Sequence, residues 1–175
     1  AYTFDSGIPA DFTSDGTSGV KQDSNNARYT FVFGDQTAAN VSARYLQYMK
    51  TVSGEVSISF EYIKGTYGGL GLENPDGTED LVIQYRVSDT SPWITAKAVG
   101  ASGNVDAMLD SDDDGSDTAY TSFIDTMKNS DNLNDNTYAG KLGTTTGANF
   151  PAGTQLRIVQ LNFSGYQYDN WAIFG

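Results

Sequence analysis

Two segments of the chain alternate apolar and polar residues with a period of two, and this pattern constrains the fold more than any other feature. In EVSISFEYIK (residues 55–64), the apolar positions are Val56, Ile58, Phe60 and Tyr62. In DLVIQYRVS (residues 80–88), they are Leu81, Ile83, Tyr85 and Val87. Successive side chains of a strand point to opposite faces, so each segment predicts a half-buried β-strand.

Further strands are predicted where β-branched and aromatic residues cluster between turn residues. They are residues 2–4, 28–33, 44–50, 93–99, 155–163 and 169–174. The segment 44–50 also fits a helix, and we favour a strand there. The segment 93–99 follows 80–88 through a short turn, which indicates a hairpin. Residues 118–127 carry apolar side chains at helical spacing and predict one short helix at most. We therefore predict a single all-β domain over residues 1–175, a two-sheet antiparallel jelly-roll sandwich of about eight or nine strands.

Composition excludes several classes of site and partner. The chain has no Cys and no His, which removes thiol nucleophiles, His-dependent triads and His- or Cys-ligated metals. Its formal net charge is −12, so its surface repels nucleic acid and anionic lipid and attracts divalent cations. There is no apolar run of about 20 residues. We expect no nucleic-acid partner and no membrane insertion.

Three stretches of the sequence resemble one group of extracellular modules. They are TFDSGIPADF (3–12), GEVSISFEYIKG with EDLVIQYRVSDTSPW (54–65 and 79–93), and LRIVQLNFSGYQYDNWAIFG (156–175). Their order is similar to that of reelin subrepeats, MAM domains and cleaved-adhesin domains. The resemblance covers most of the chain. It implies a concanavalin-like jelly roll outside the cell.

The same resemblance implies a structural calcium ion. Modules of this group hold calcium with acids from the first and last strands, which here are Asp5 and Asp169, with Asp80 as a third candidate. The chain departs from the group at Phe174, where an acid is expected, and this puts one ligand in doubt. The alternative is that Asp5 and Asp169 cap turns through local backbone hydrogen bonds.

The acidic segment offers a second candidate calcium site. Asp110, Asp112 and Asp114 are followed by Gly115, which matches positions 1, 3, 5 and 6 of a calcium-binding loop. Position 12 is Thr121, where an EF-hand has a bidentate Glu. Without a cation, these acids repel one another and the segment is a hydrated loop.

Aromatic residues indicate where a sugar ring could stack. Tyr67, Tyr166 and Tyr168 lie in predicted loops and are candidates for this contact, whereas Trp93 and Trp171 lie on predicted strands and are expected in the core. Glycosidases need two carboxylates across a cleft. No strand motif with paired acids is present, so we expect no enzyme activity.

These observations predict a non-catalytic, extracellular or virion-surface module for adhesion or carbohydrate binding, with calcium as its cofactor. Its partner is then a surface polysaccharide or glycoprotein. The alternative is a structural subunit of a filament or virus particle that contacts copies of itself or other virion or surface proteins. In that case residues 2–4 are predicted to add to the sheet edge of a neighbour.

Overall fold

A computed structural model describes residues 1–24, 27–35, 43–65, 71–99, 104–109, 136–163 and 168–175, with the backbone alone for 136–139. Thirteen strands lie in this part of the chain: β1 (Phe12–Ser14), β2 (Gly19–Gln22), β3 (Tyr29–Val32), β4 (Arg44–Tyr48), β5 (Val52–Gly54), β6 (Val56–Lys64), β7 (Leu81–Arg86), β8 (Ile94–Thr95), β9 (Lys97–Ala98), β10 (Met108–Leu109), β11 (Asn136–Gly143), β12 (Phe150–Gln160) and β13 (Trp171–Phe174). The predicted helix at 118–127 lies outside the described residues.

The strands form two antiparallel sheets. The first sheet has the order β1-β4-β12-β7-β10, with β5 beside β12 and β8 beside β7. The second sheet has the order β2-β3-β13-β6-β11-β9. The chain crosses repeatedly between the two sheets, so residues distant in sequence become neighbours. The prediction of an all-β sandwich of two antiparallel sheets is confirmed.

The core lies between the sheets because the alternating apolar residues of both sheets point inward. In the first sheet, Ile158 of β12 stands opposite Leu46 of β4 and Ile83 of β7, and all three side chains are buried. In the second sheet, Tyr62 of β6 packs edge-on against Trp171 of β13, with ring centroids 5.9 Å apart. This inward packing leaves the residues between them, such as Arg157, on the outer face.

A second, smaller apolar cluster lies on the outer side of the second sheet. Val32, Ile63, Ala172 and Phe174 are buried together there, and Leu72 packs against them. The segment after β6 therefore covers the outer face of the second sheet. This packing brings residues 71–79 to the start of β13.

The structure corrects three predictions about secondary structure. Residues 2–4 form no strand, because they make side-chain contacts without a backbone ladder, and the first strand begins at Phe12. The segment 93–99 divides into β8, which pairs with β7 as predicted, and β9, which joins the second sheet. The predicted number of about eight or nine strands is too low, since thirteen are described, and β1, β2, β5, β10 and β11 lie outside the predicted segments. Within the described residues, no helix is long and apolar enough to cross a membrane.

Candidate functional site

Three carboxylates converge where the segment before β7 meets the start of β13. Asp76, Glu79 and Asp169, which we call the acidic cluster, each offer an oxygen, and these oxygens lie within 4.8 Å of one another. Asp76 is exposed, whereas Glu79 and Asp169 are 7% and 5% exposed. It is the only such group of acids in the part of the chain that the structure describes.

A tight turn positions two members of the acidic cluster. The backbone N–H of Asp76 donates to a carboxylate oxygen of Glu79 (2.6 Å), and the N–H of Glu79 donates to the carbonyl of Asp76 (2.9 Å). Gly77 lies inside this turn with a φ of 45°, a value that glycine adopts without strain. The local sequence therefore orients Glu79 toward β13.

The two residues before β13, Asp169 and Asn170, hold the start of this strand through hydrogen bonds. Asp169 has a φ of 57°, and its carbonyl accepts hydrogen bonds from Arg44 (3.2 Å) and from Gln160. Asn170 donates through Nδ2 to the carbonyls of Phe33 (2.7 Å) and Gly34 (3.2 Å). These bonds hold the backbone on which Asp169 is displayed.

Trp171 links the last strand directly to the acidic cluster. Its Nε1–H donates to the carbonyl of Glu79 (2.8 Å), and its ring is 1% exposed. A buried indole with its N–H satisfied fixes both position and orientation. The main chain at Glu79 is thereby anchored to the core.

Burial and, to a smaller extent, charge repulsion shape the electrostatics of the acidic cluster. Burial raises the pKa of Glu79, and the neighbouring charges of Asp169 and Asp76 raise it further, against a backbone hydrogen bond that lowers it. The nearby Arg44 is buried, and burial lowers its pKa although Asp169, Asp15 and Glu79 act in the opposite direction. The acidic cluster is therefore partly buried from solvent and carries more negative than positive charge.

The donor set fits a hard cation. Calcium takes six to eight oxygen ligands from carboxylates, carbonyls, amide oxygens and water. Besides its three carboxylates, the site lies beside Asn170, which is fully buried and whose Oδ1 has no hydrogen-bond partner within the described residues. Asp76 is exposed, so water has access to the remaining positions. Asp76, Glu79 and Asp169 are the residues that would hold the ion.

The predicted site residues fall in different places. Asp169 belongs to the acidic cluster. Asp5 is exposed in a bridge with Gly7, and Asp80 is buried with its carbonyl bonded to the N–H of Leu161, but neither is a member of the cluster. Their assignment as metal ligands stays a prediction.

The remaining candidates are divided between described and undescribed residues. Asp110, Asp112, Asp114, Tyr67 and Tyr166 lie outside the described residues. Tyr168 is 55% exposed and uses its carbonyl to accept a hydrogen bond from Arg44 (2.7 Å).

Sequence reasoning missed Asp76 and Glu79. The available signal was the stretch DGTED (76–80), which places three acids around a glycine turn immediately before a buried strand. Such a stretch is usually an ordinary surface turn. Only its contact with the start of β13 shows that its acids belong to a candidate metal site.

The outer face of the first sheet carries a second group of candidate binding residues. Trp93 was expected in the core, but it is half-buried on this face because it precedes β8, whose Thr95 pairs with the outward-facing Gln84. The guanidinium carbons of Arg86 and Arg157 lie 4.5 and 4.4 Å from the centroid of Trp93. We call this group, with Tyr45 and the amides of Gln47, Gln84 and Gln155, the arginine–tryptophan face.

An apolar cavity of about 420 Å³ opens between the sheets near the N-terminal segment. Ala1, Tyr2 and Phe4 line it, together with β6 residues including Ile58 and core residues including Leu156. The cavity lies beside the part of β6 that extends beyond β13, since β13 pairs with β6 only from Glu61 to Lys64.

Comparisons of the chain with protein-family models, with curated proteins and with solved structures found no match. The site is therefore interpreted from its own geometry.

Proposed function

We propose that this chain is a non-catalytic adhesion or carbohydrate-binding module that acts outside the cell or on a virus particle and is stabilised by calcium. The observation that carries the proposal is the arginine–tryptophan face. It combines aromatic rings with amide groups on one side of a rigid sheet. Aromatic rings stack on the apolar faces of sugars, and a few well-placed polar groups then give orientation. The partner is a surface polysaccharide or glycoprotein.

Binding through this face is tested with immobilised polysaccharides. Trp93→Ala is expected to weaken retention at least about tenfold, because it removes the largest ring of the face. Tyr29→Ala is the matched control, since Tyr29 is a 38% exposed aromatic residue of the second sheet. Affinity electrophoresis in gels containing neutral or acidic polysaccharide measures the effect. Equal retention of wild type and Trp93→Ala would exclude the arginine–tryptophan face as the binding site. No retention on any polysaccharide would exclude carbohydrate binding as the function.

Calcium is proposed to occupy the acidic cluster and to stabilise the strand ends. In millimolar calcium, at about a hundredfold excess over the dissociation constant, the ion adds about 2.7 kcal/mol to the free energy of unfolding. For a domain of this size, that raises the melting temperature by about 5–10 °C relative to EDTA. Thermal unfolding monitored by circular dichroism measures the shift.

Glu79→Gln distinguishes this site from the acidic segment around Asp112. The raised pKa of Glu79 means that its ionisation destabilises the calcium-free fold, so stability falls as pH rises through that pKa. Glu79→Gln is therefore expected to raise the melting temperature in EDTA at pH 7 and to lose most of the calcium shift. Glu55→Gln, at an exposed position of the second sheet, is the control and should retain the shift.

An undiminished calcium shift in Glu79→Gln would contradict occupancy of the acidic cluster. Asp112→Ala would then locate the ion in the acidic segment, if it abolishes the shift. Identical melting in calcium and EDTA for the wild type would exclude both sites as stabilising elements.

The open edge of β6 favours a second function, assembly with copies of the same chain. The N–H of Gly65 donates to the carbonyl of Asn170, so alternate residues of β6 face β13. The backbone groups of Ser57 and Ser59 then face the same side beyond β13, where no described strand pairs with them. Such an edge accepts an added strand.

The proposed occupant of this edge is the N-terminal segment, residues 1–4, of a second copy. The segment carries no charged side chain, which suits contact between two chains of net charge −12. Its Tyr2 and Phe4 alternate, as an added strand requires, and it lines the cavity without forming a ladder. Gly7 follows the segment with a φ of 96°, a value that glycine adopts without strain.

Ser59→Pro is expected to prevent this self-association. Proline removes the outward N–H of Ser59 and leaves the ladder to β11 in place, whereas Ser59→Thr keeps the N–H and serves as the control. Light scattering over a micromolar concentration series measures the effect. A monomeric wild type, or a Ser59→Pro variant that associates equally well, would contradict this function.

A further inference from the structure

The positive charges of the described chain are mostly neutralised by neighbouring acids. Five Lys or Arg residues of other regions have a carboxylate within 4 Å, in the pairs Lys21–Asp35, Arg28–Asp23, Lys50–Asp11, Lys97–Asp106 and Lys141–Glu55. Arg157 has none within the described residues. Its neighbour Arg86 meets only Asp89, at 3.8 Å, and the Asp89 side chain is 84% exposed. Positive charge is therefore concentrated on one face of an acidic protein.

The two arginines are held side by side. Arg157 lies on β12 and Arg86 on β7, and these strands pair so that Arg157 stands opposite Gln84 and Arg86 opposite Gln155. Both guanidinium groups contact the ring of Trp93. Arg157 also lies over Tyr45, 5.6 Å from its centroid. Such cation–π contacts fix the guanidinium planes without neutralising their charge.

Glutamine side chains orient the guanidinium groups. Nε and Nη2 of Arg157 both donate to Oε1 of Gln84, at 2.9 and 2.7 Å. Nε of Arg86 donates to Oε1 of Gln155 (2.7 Å). The Nη1 group of each arginine has no acceptor within the described residues. A neutral amide thus holds each arginine and leaves donors for a ligand.

The electrostatics of the pair favour an anion. Burial and, to a smaller extent, the charge of Arg86 lower the pKa of Arg157 to about 10, whereas Tyr45 acts in the opposite direction. The charged form of Arg157 is therefore destabilised both by burial and by the neighbouring cation. An anionic ligand relieves both effects through charge-assisted hydrogen bonds.

We propose that the arginine–tryptophan face binds an acidic polysaccharide, with Arg86 and Arg157 holding a carboxylate or sulfate group of the sugar. Trp93 contacts the sugar ring, and Nε2 of Gln84 is the amide donor for its hydroxyls, because Nε2 of Gln155 already donates to Asp89. The inference rests on the proposed carbohydrate-binding function and adds the chemical class of the ligand.

The test measures retention of the full chain by four polymers: polygalacturonate for carboxylate, dextran sulfate for sulfate, dextran for neutral sugar and polyglutamate for acidic peptide. The double variant Arg86→Gln/Arg157→Gln is compared with Lys21→Gln/Lys141→Gln, which makes the same charge change on the second sheet. Thermal unfolding confirms that each variant is folded. Retention of the wild type is also measured against sodium chloride concentration, which tests the charge contribution without any substitution.

The expected result is retention by polygalacturonate, dextran sulfate or both, weakened about tenfold or more in the arginine double variant and little changed in the lysine double variant. Salt should weaken it in the wild type. Retention by dextran that is insensitive to salt and to the arginine substitutions would overturn the anionic ligand while leaving the carbohydrate-binding function standing.

Two other results overturn the inference in different ways. Binding to polyglutamate as strong as to the acidic polysaccharides would show that the face recognises acidic peptides. Absence of retention by all four polymers would remove the carbohydrate-binding function together with the inference that rests on it.

Discussion

Arg44→Ala is expected to lower the free energy of unfolding by about 3–5 kcal/mol, one of the two largest effects expected for this chain. Arg44 is 1% exposed and begins β4 in the first sheet. Its Nη1 donates to the carbonyls of Tyr168 (2.7 Å) and Asp169 (3.2 Å) and to Oε1 of Gln160 (3.3 Å). Removing it leaves Oε1 of Gln160 and the carbonyl of Tyr168 without this donor, at a cost of about 1–3 kcal/mol for each acceptor that stays buried. The carbonyl of Asp169 keeps its hydrogen bond from Gln160.

The environment of Arg44 is shaped to its side chain. The guanidinium lies 4.2 Å from the ring centroid of Phe163, and it passes Gly34 so closely that a Cβ there would overlap it. Arg44→Lys keeps the charge but lacks the planar fork, so we expect it to recover only part of the loss. Urea unfolding monitored by circular dichroism measures both variants.

Arg86→Ala is the control for a half-buried arginine on the outer face, and it should cost less than about 1 kcal/mol. A loss below about 1 kcal/mol for Arg44→Ala as well would contradict the role of Arg44 as the link between β4 and the start of β13. Because the charge of Arg44 interacts favourably with Glu79 and Asp169, its removal should make the fold more dependent on calcium.

Trp171→Ala is expected to reduce the free energy of unfolding by about 3–5 kcal/mol, the range for deleting a buried aromatic side chain. Trp171 is 1% exposed and packs against Tyr62 in the centre of the second sheet. The same substitution releases the carbonyl of Glu79. We therefore expect the calcium-dependent shift in melting temperature to shrink along with the stability.

Trp171→Phe separates these two contributions. It keeps a buried aromatic ring but removes the N–H that bonds to Glu79 and part of the indole volume, so the expected loss is about 1–3 kcal/mol. Circular dichroism in urea, with and without calcium, follows both variants. If Trp171→Phe and Trp171→Ala lose the same stability, the hydrogen bond outweighs the packing, and the interpretation of Trp171 as mainly a core residue is wrong.

Strands with a clear period of two were the ones that sequence reasoning located well. The segment 55–64 became Val56–Lys64, and 80–88 became Leu81–Arg86, because one face of each strand is buried and the pattern records that face. The strand predicted at 169–174 became Trp171–Phe174. All four residues of this strand are buried, since the segment that contains Leu72 covers its outer face.

Strands without such a pattern escaped detection. Strand β11 reads NTYAGKLG, with two glycines and few apolar residues, and it forms because it pairs with β6 on one side and β9 on the other. Residues 2–4 show the opposite case, since their alternation is strand-like but no described strand pairs with them. In both cases, whether a strand forms depends on a pairing partner that is distant in sequence. Local residue propensity contains no information about that partner.

The candidate sites show the same division. Asp169 was identified from the sequence, but Asp76 and Glu79 join it only because the segment after β6 folds over the second sheet. Trp93 was assigned to the core, since a tryptophan on a strand is usually buried there. Its position beside Arg86 and Arg157 depends on the pairing of β7 with β8 and β12, which no local pattern encodes.

Residue types and their spacing alone establish that the chain is built from strands with one buried face, that its charge is strongly negative, and that thiol and imidazole chemistry is absent. The tertiary structure decided which acids converge on one point and which arginines share one indole. Those groupings arise because the chain crosses between the two sheets. The crossings bring together residues that are far apart in the sequence, such as Asp76 and Asp169, which are 93 positions apart.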